Sequence, residues 1–207
     1  ATEAIESDVP VVLMRKEYAP DTAGPGFNRG GAAVVKDTLW LTDAHHWSMP
    51  LHTRFPSGFG VNGGRNGTTQ ACWMFPPDAY DVFKKEDLLP TDPGIYAKST
   101  PVAGMLDPKT KTLDLKGEYF YFASTPTWNT QRGALFRYQT GGGGGWGNPL
   151  ERDPERVKRD VRDEYVTIDG AYRDYGVVIT GDPINDPEGL VIDDAATRKR
   201  RAEMARA

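Results

Sequence analysis

The sequence has little of what secreted, membrane-spanning or nucleic-acid-binding proteins need. It contains a single cysteine among 207 residues, which excludes an internal disulfide. No apolar run approaches the roughly 18 residues of a membrane-spanning helix. Basic residues form no stripe along the chain and the net charge is −4, which argues against a phosphate backbone as a partner. We therefore expect neither a membrane nor a nucleic acid as a partner.

The lone cysteine and the N-terminus give two further expectations. Cys72 lies in the apolar run 71–75, which favours a small buried side chain over a reactive nucleophile. The first four residues include an acidic Glu3 and no apolar signal core, so a cytoplasmic protein is expected.

Apolar residues are also scarce, at 38% of the chain, whereas 23 glycines and 16 prolines make up nearly a fifth of it. This balance indicates many turns and short strands. The length fits one domain. We predict an α+β fold, a β-rich single domain over residues 1–207 with short helices near the C-terminus.

Short apolar or alternating runs predict the strands. The predicted strands are 9–18, 32–35, 38–42, 68–75, 118–123, 133–138 and 177–180. Asp37 is placed in a tight turn between the second and third of these. Residues 45–59 are expected to be irregular.

Capping signals predict the helices. Asp153 followed by Pro154 starts one helix, and a second begins near Thr167 and ends at Gly176. Asp193 or its neighbour starts a last helix over 195–207.

Five consecutive glycines, Gly141, Gly142, Gly143, Gly144 and Gly145, precede Trp146. The Lys and hydroxyl residue of a phosphate-binding loop do not follow them, so no nucleotide site is predicted here. Close backbone packing in special conformations is the favoured interpretation. A substrate channel or a subunit interface that includes Trp146 is the alternative.

All three histidines lie within eight residues, next to an acidic one. Asp43, His45, His46 and His52 are chemically suitable ligands for a transition metal. Their spacing is not that of a metal motif, and adjacent histidines of a strand point to opposite faces. We favour a polar patch or interface and retain the metal site as a weaker alternative.

Charged residues flank the two earlier glycine-rich segments, 24–31 and 58–67. They are Asp21, Arg29, Arg54 and Arg65. Pairing among protein groups is favoured, and anchoring of an anionic substrate, or a place at an interface or channel for Arg29 and Arg54, is the alternative.

Three segments carry a resemblance to one family. Residues 15–31 (RKEYAPDTAGPGFNRGG) and 54–67 (RFPSGFGVNGGRNG) are similar to two of its glycine-rich motifs. The most specific is 140–157 (TGGGGGWGNPLERDPERV), which is followed by 172–178 (YRDYGVV). With these, the chain resembles the C-terminal part of the hydantoinase B / acetone carboxylase α-subunit family.

This resemblance implies a small subunit of a multi-subunit, ATP-dependent ketone carboxylase, completing a hydantoinase B-type subunit. ATP with Mg²⁺ and a catalytic transition metal are then expected in larger hydantoinase B-type and A-type partner subunits. No cofactor and no catalytic residue are assigned to this chain. The alternatives are a subunit of an ATP-dependent hydantoinase or oxoprolinase acting on cyclic amides, and, from another class, a stand-alone β-rich binding module.

Overall fold

The computed structural model describes residues 2–86, 92–121 and 127–206. They form two compact units. The first, which we call the sheet unit, contains Ala1–Glu17, Val34–Phe55 and Thr69–Thr140. The second, the glycine unit, contains Tyr18–Ala33, Pro56–Thr68 and Gly141–Ala207. Because these segments interleave, no single boundary divides the sequence.

The described strands and helices alternate irregularly along the chain. In chain order they are α1 (Thr2–Asp8), β1 (Val11–Tyr18), β2 (Val34–Trp40), β3 (Ala44–Trp47), β4 (Ala71–Phe75), α2 (Ala79–Lys85), β5 (Thr100–Met105), β6 (Phe120–Tyr121), β7 (Thr127–Thr130), β8 (Leu135–Gln139), α3 (Pro154–Arg162), α4 (Ile168–Tyr175), β9 (Ile179–Thr180), β10 (Val191–Ile192) and α5 (Asp194–Met204). The predicted α+β class, with short helices near the C-terminus, is confirmed. None of the helices in the described ranges is both long and apolar enough to cross a membrane.

A six-stranded sheet in the order β1-β2-β8-β4-β5-β6 organises the sheet unit, and the pairs from β2 to β6 are antiparallel. Side chains alternate between its two faces. One face carries Trp73 and Phe75, which are fully buried against Phe83 of α2 and against Ile95. This aromatic cluster is the core of the unit.

Asp37 lies in the middle of β2, so the predicted turn at this residue is wrong. Its carboxylate accepts two hydrogen bonds, both 2.7 Å long, from the Arg137 guanidinium on β8. Both side chains are almost completely buried. Arg137 also lies over the rings of Phe75 and Tyr96, at 5.3 and 5.2 Å. The buried ion pair therefore overrides the turn preference of aspartate and joins two predicted strands into one.

Residues 45–59 were expected to be irregular, but residues 45–47 belong to strand β3. β3 pairs with β7 as an antiparallel two-stranded ribbon. The strand predicted over 118–123 is reduced to β6, and residues 122 and 123 lie outside the described ranges. The sequence contains no turn signal between β3 and β7, since they are far apart along the chain.

Capping in the glycine unit follows the sequence closely. Asp153 accepts a hydrogen bond from the backbone N–H of Glu155 at the start of α3. Thr167 accepts one from Gly170 in α4, and Gly176 ends α4 in the left-handed conformation, with φ 62°. Asp193 caps α5. The predicted helix starts and the end at Gly176 are confirmed, whereas the last helix ends at Met204 and does not reach the predicted residue 207.

The helices of the glycine unit share an aliphatic core. Val157 and Val161 of α3 pack with Tyr175 of α4 and with Val177, all of them nearly inaccessible to solvent. β9 and β10 form a two-stranded ribbon beside this core.

Candidate functional site

The five-glycine run lies between the two other glycine-rich segments of the glycine unit. Gly143 accepts a hydrogen bond from Gly24 and donates one to Gly31, at 2.8 Å each. On the other side, Gly145 donates to Arg65 and accepts from Val61, at 2.9 Å each. The run is therefore a central extended segment with a hydrogen-bonded neighbour on both sides.

No side chain fits between these three segments. A Cβ atom at Gly142 would lie 1.9 Å from the carbonyl oxygen of Thr22, and one at Gly144 would lie 1.9 Å from that of Phe59. In the opposite direction, a Cβ at Gly30 would lie 2.1 Å from the oxygen of Gly143. Real Cβ atoms do not approach backbone atoms this closely. Glycine is needed here because neighbouring backbones touch.

This packing changes one part of the sequence interpretation. None of the five glycines has a positive φ angle, although Gly147 just after them has φ 76°. The favoured interpretation was close backbone packing in special conformations. The close backbone packing is present, but the special conformations are not. The lack of room for a Cβ atom, rather than an unusual backbone angle, explains why these residues are glycine.

Three of the five N–H groups of the run are already engaged. Those of Gly142, Gly143 and Gly145 donate to the carbonyl oxygens of Thr68, Gly31 and Arg65. A phosphate-binding loop instead points several free N–H groups at its ligand. These three groups therefore stabilise the fold and form no phosphate cradle.

Arg29 is fixed by a buried carboxylate. Its Nε lies 3.3 Å from one oxygen of Asp160, while Nη2 of Arg152 lies 2.7 Å from the other. The Arg29 guanidinium also stacks on Tyr165, 4.4 Å from the ring centre. Arg152 additionally donates to the carbonyl oxygen of Phe27. Arg29 thus ties the first glycine-rich segment to α3.

Sequence reasoning missed Asp160 as the partner of Arg29, and Arg152 as the second arginine on the same carboxylate. A usable signal was present, because Asp160 directly precedes Val161 and follows Val157 by three residues. At helical spacing this places a carboxylate beside the apolar stripe of α3. A charge in such a position requires a buried partner.

Two more of the flanking residues bond to protein groups. Asp21 accepts hydrogen bonds from both the backbone N–H and the hydroxyl of Thr167, at 2.9 and 2.6 Å. Asp21 itself has a positive φ of 58°. Arg65 pairs with Asp174 at 3.2 Å, although its side chain is half exposed.

Arg54 differs from the other three, because it lies in the sheet unit and is exposed. Its guanidinium lies over the rings of Phe55 and Phe120, at 5.5 and 5.6 Å. An arginine held by aromatic faces keeps its charge available to a partner.

The structure does not assemble the histidines into a metal site. His45 is exposed and hydrogen-bonded to Asn129, and His46 is buried on the opposite face of β3. His52 lies beyond the strand, with a φ of 53°. Asp43 accepts a hydrogen bond from the backbone of Arg132 instead. Across the described part of the chain, no three His, Cys, Asp or Glu residues form a group that could hold a metal ion.

Two buried groups have strongly shifted pKa values. Burial lowers the pKa of His46 to about 4. Its ring lies 4.5 Å from that of Phe136 and 5.2 Å from that of Trp40. Burial also raises the pKa of the Cys72 thiol to about 12, so the thiol stays protonated at neutral pH. Cys72 therefore behaves as a small apolar side chain, as its sequence context predicted.

Trp146, at the end of the glycine run, is half exposed. Its backbone exchanges two hydrogen bonds with Asn28, both 2.9 Å long. The neighbouring Phe59 and Val61 are also exposed, by 65% and 53%. The glycine unit thus holds the backbone of Trp146 firmly and leaves its ring accessible.

The glycine-rich segments match a known family. The family model described as hydantoinase B/oxoprolinase matches residues 1–149. The chain belongs to the hydantoinase B/oxoprolinase family. The resemblance seen in the sequence motifs is thereby confirmed.

Two known proteins resemble the chain along almost its whole length. The caprolactamase subunit beta of Pseudomonas jessenii is 30% identical over 203 residues, which are 97% of this chain and 27% of that protein. An uncharacterised protein of Methanocaldococcus jannaschii is 28% identical over 199 residues, or 96% of this chain and 28% of that protein.

A solved structure shares the fold. The nucleotide-free acetone carboxylase matches 100% of this chain with 26% of its own, at a TM-score of 0.69 and 19% identity. The chain thus spans about a quarter of the length of the proteins it matches.

Proposed function

We propose that this chain is a structural subunit of an ATP-dependent ketone carboxylase, in which it completes a hydantoinase B-type subunit as its C-terminal part. The observation that carries the proposal is the match of the whole chain to about a quarter of larger enzyme subunits, among them an acetone carboxylase chain. The motifs at 140–157 and 172–178 support the C-terminal position.

The packing of the candidate residues supports a structural role. Arg29, Asp21 and Arg65 are each bonded to another group of the glycine unit. Three of the five N–H groups of the glycine run, those of Gly142, Gly143 and Gly145, are engaged. A site that binds ATP with Mg²⁺, and a catalytic transition metal, then belong to larger partner subunits of the B and A types. The chain contributes a rigid scaffold beside them.

Opening of a cyclic amide is the second candidate reaction. It is favoured by the 30% identity to a caprolactamase subunit, which exceeds the identity to the acetone carboxylase chain. Both reactions would use the same division into subunits, so the role proposed for this chain is unchanged. The substrate differs, being a ketone in one case and a lactam in the other.

Purification of the tagged chain from its own cells tests the proposal. We expect two or more large chains of the hydantoinase A and B types, identified by mass spectrometry, in one complex. The complex should hydrolyse ATP faster when acetone and bicarbonate are added together. Stimulation by caprolactam instead would select the cyclic-amide reaction and reject carboxylation.

A lone, monodisperse 23 kDa species would overturn the proposal, since the chain has a mass of 22.8 kDa. That result would favour the stand-alone binding module.

A further inference from the structure

The two faces of the six-stranded sheet are covered unequally. The face that carries Trp73 and Phe75 is covered by α2 and the aromatic core. The opposite face carries an apolar depression of about 360 Å³, which we call the trough. Its lining includes Ile5, Leu13, Trp40, Trp47, Met49 and Phe136. All of them belong to the sheet unit.

The rim of the trough exposes large apolar side chains to solvent. Trp47 is 58% exposed, Met49 54% and Ile5 41%. An antiparallel sheet can leave one face in water when that face is polar, whereas this face is lined mainly by apolar side chains. A contiguous apolar patch of this kind marks an interaction surface. Aromatic residues and methionine are also the types enriched at protein interfaces.

The charge of the trough specifies the partner further. Lys36 is the one side chain of the lining that carries a full charge at neutral pH, since burial keeps His46 neutral. No carboxylate of the described residues lies within 4.0 Å of the Lys36 ammonium group. The trough therefore suits an apolar segment that carries one acidic residue.

The relatives indicate where such a segment comes from. In the caprolactamase subunit and in the acetone carboxylase chain, the matched region is 27% and 26% of the polypeptide. About three quarters of each relative therefore lies outside the fold described above. In a complete subunit that larger part is available to pack against the matched region, and the half-covered face of the sheet is the surface suited to it.

We propose that the trough is the docking surface for the remaining, larger part of the hydantoinase B-type subunit, through an apolar segment with a carboxylate that meets Lys36. This inference rests on the proposed function, because it requires the chain to complete a subunit of that type. It goes further by naming the surface and the chemistry of the segment that covers it.

Three single substitutions in the tagged chain test the docking surface. Trp47→Glu and Met49→Glu place a carboxylate at the rim, at positions where more than half of the side chain is exposed. Ile184→Glu is the matched control, because Ile184 is 77% exposed and belongs to the glycine unit. The quantity measured is the hydantoinase B-type polypeptide retained per tagged chain, with circular dichroism as a check of folding.

We expect wild type and Ile184→Glu to retain the polypeptide equally. The two rim variants should retain at least about tenfold less, as expected for hot-spot positions at an interface. Hydroxyl-radical labelling of the unmutated protein gives a second measurement. Trp47 and Met49 should react at least several times more slowly in the complex than in the free chain, while Ile184 reacts equally in both.

Each opposite outcome rejects a different statement. If both rim variants retain the polypeptide and Met49 is labelled equally in both states, the docking surface is wrong and the proposed function stands. If the wild-type chain retains no hydantoinase B-type polypeptide, the proposed function fails and this inference fails with it. If the free chain is a dimer that Met49→Glu makes monomeric, a second copy occupies the trough instead.

Discussion

The sheet unit and the glycine unit are stabilised in opposite ways. In the sheet unit, large side chains such as Trp73 and Phe75 fill the space beside the strands. Around Gly143 in the glycine unit, backbones touch one another and no side chain separates them. The first arrangement depends on large apolar side chains that fill space. The second depends on residues that have no side chain.

This difference is reflected in the composition of the chain. Only 38% of the residues are hydrophobic, because glycine backbone occupies space that apolar side chains fill elsewhere. The same difference predicts that substitutions which remove atoms harm the sheet unit most. Substitutions which add atoms harm the glycine unit most.

The largest effect is expected in the sheet unit, at the buried ion pair. Asp37→Asn leaves the Arg137 charge buried without its carboxylate, which costs about 3–5 kcal/mol of the free energy of unfolding. Urea titration measures this loss. The double variant Asp37→Leu with Arg137→Met should lose much less, because no uncompensated charge remains. Equal losses in both variants would show that the pair is not the cause.

The next effect tests the glycine unit by adding one methyl group. Gly144→Ala places a Cβ against the backbone of Phe59 and should lower the free energy of unfolding by about 1–3 kcal/mol. Gly31→Ala is the control, since nothing lies within 4 Å of its Cβ position. The control should be unchanged or stabilised by up to about 1 kcal/mol. If thermal unfolding shows the same loss for both variants, the close approach does not limit this unit.

A smaller effect is expected at the start of α4. Thr167→Ala removes the cap of Gly170 and the bond to Asp21, at a cost of about 1 kcal/mol. Thr167→Ser keeps the hydroxyl and should retain most of the stability. A serine variant as unstable as the alanine variant in urea titration would assign the effect to the lost methyl group.

The effect that is smallest at neutral pH is a dependence of stability on pH. The pKa of His46 is about 4 in the folded protein against 6.5 for the ordinary side chain, so the unfolded chain binds the proton first as pH falls. The contribution of neutral His46 is complete above pH 6.5 and is lost towards pH 4. The loss should not exceed about 1.4 kcal/mol per pH unit. His46→Gln should reduce this slope, and His45→Gln should keep it.

Local signals in the sequence predict the glycine unit better than the sheet unit. Asp153, Thr167 and Gly176 act within one helical turn of their own position, so their roles follow from neighbouring residues. The strand β3 pairs with β7, about 80 residues away along the chain, and nothing local specifies that partner. Asp37 was placed in a turn because its partner Arg137 lies 100 residues away in sequence.

The candidate site shows the same limit. The motifs identified the family and singled out the glycine run and Arg29. They did not reveal that Asp160 holds Arg29, because a salt bridge depends on how the chain folds back on itself. Nor did they reveal the trough, whose lining comes from several separate segments of the chain.

Five consecutive glycines would ordinarily be taken for a flexible linker, since glycine-rich segments behave as random coils. Here the amide protons of Gly142, Gly143 and Gly145 are held between neighbouring backbones. They should therefore be among the slowest in the unit to exchange with deuterium. A sequence filter that discards low-complexity segments would remove from this protein a stretch that is hydrogen-bonded to neighbouring backbone on both sides.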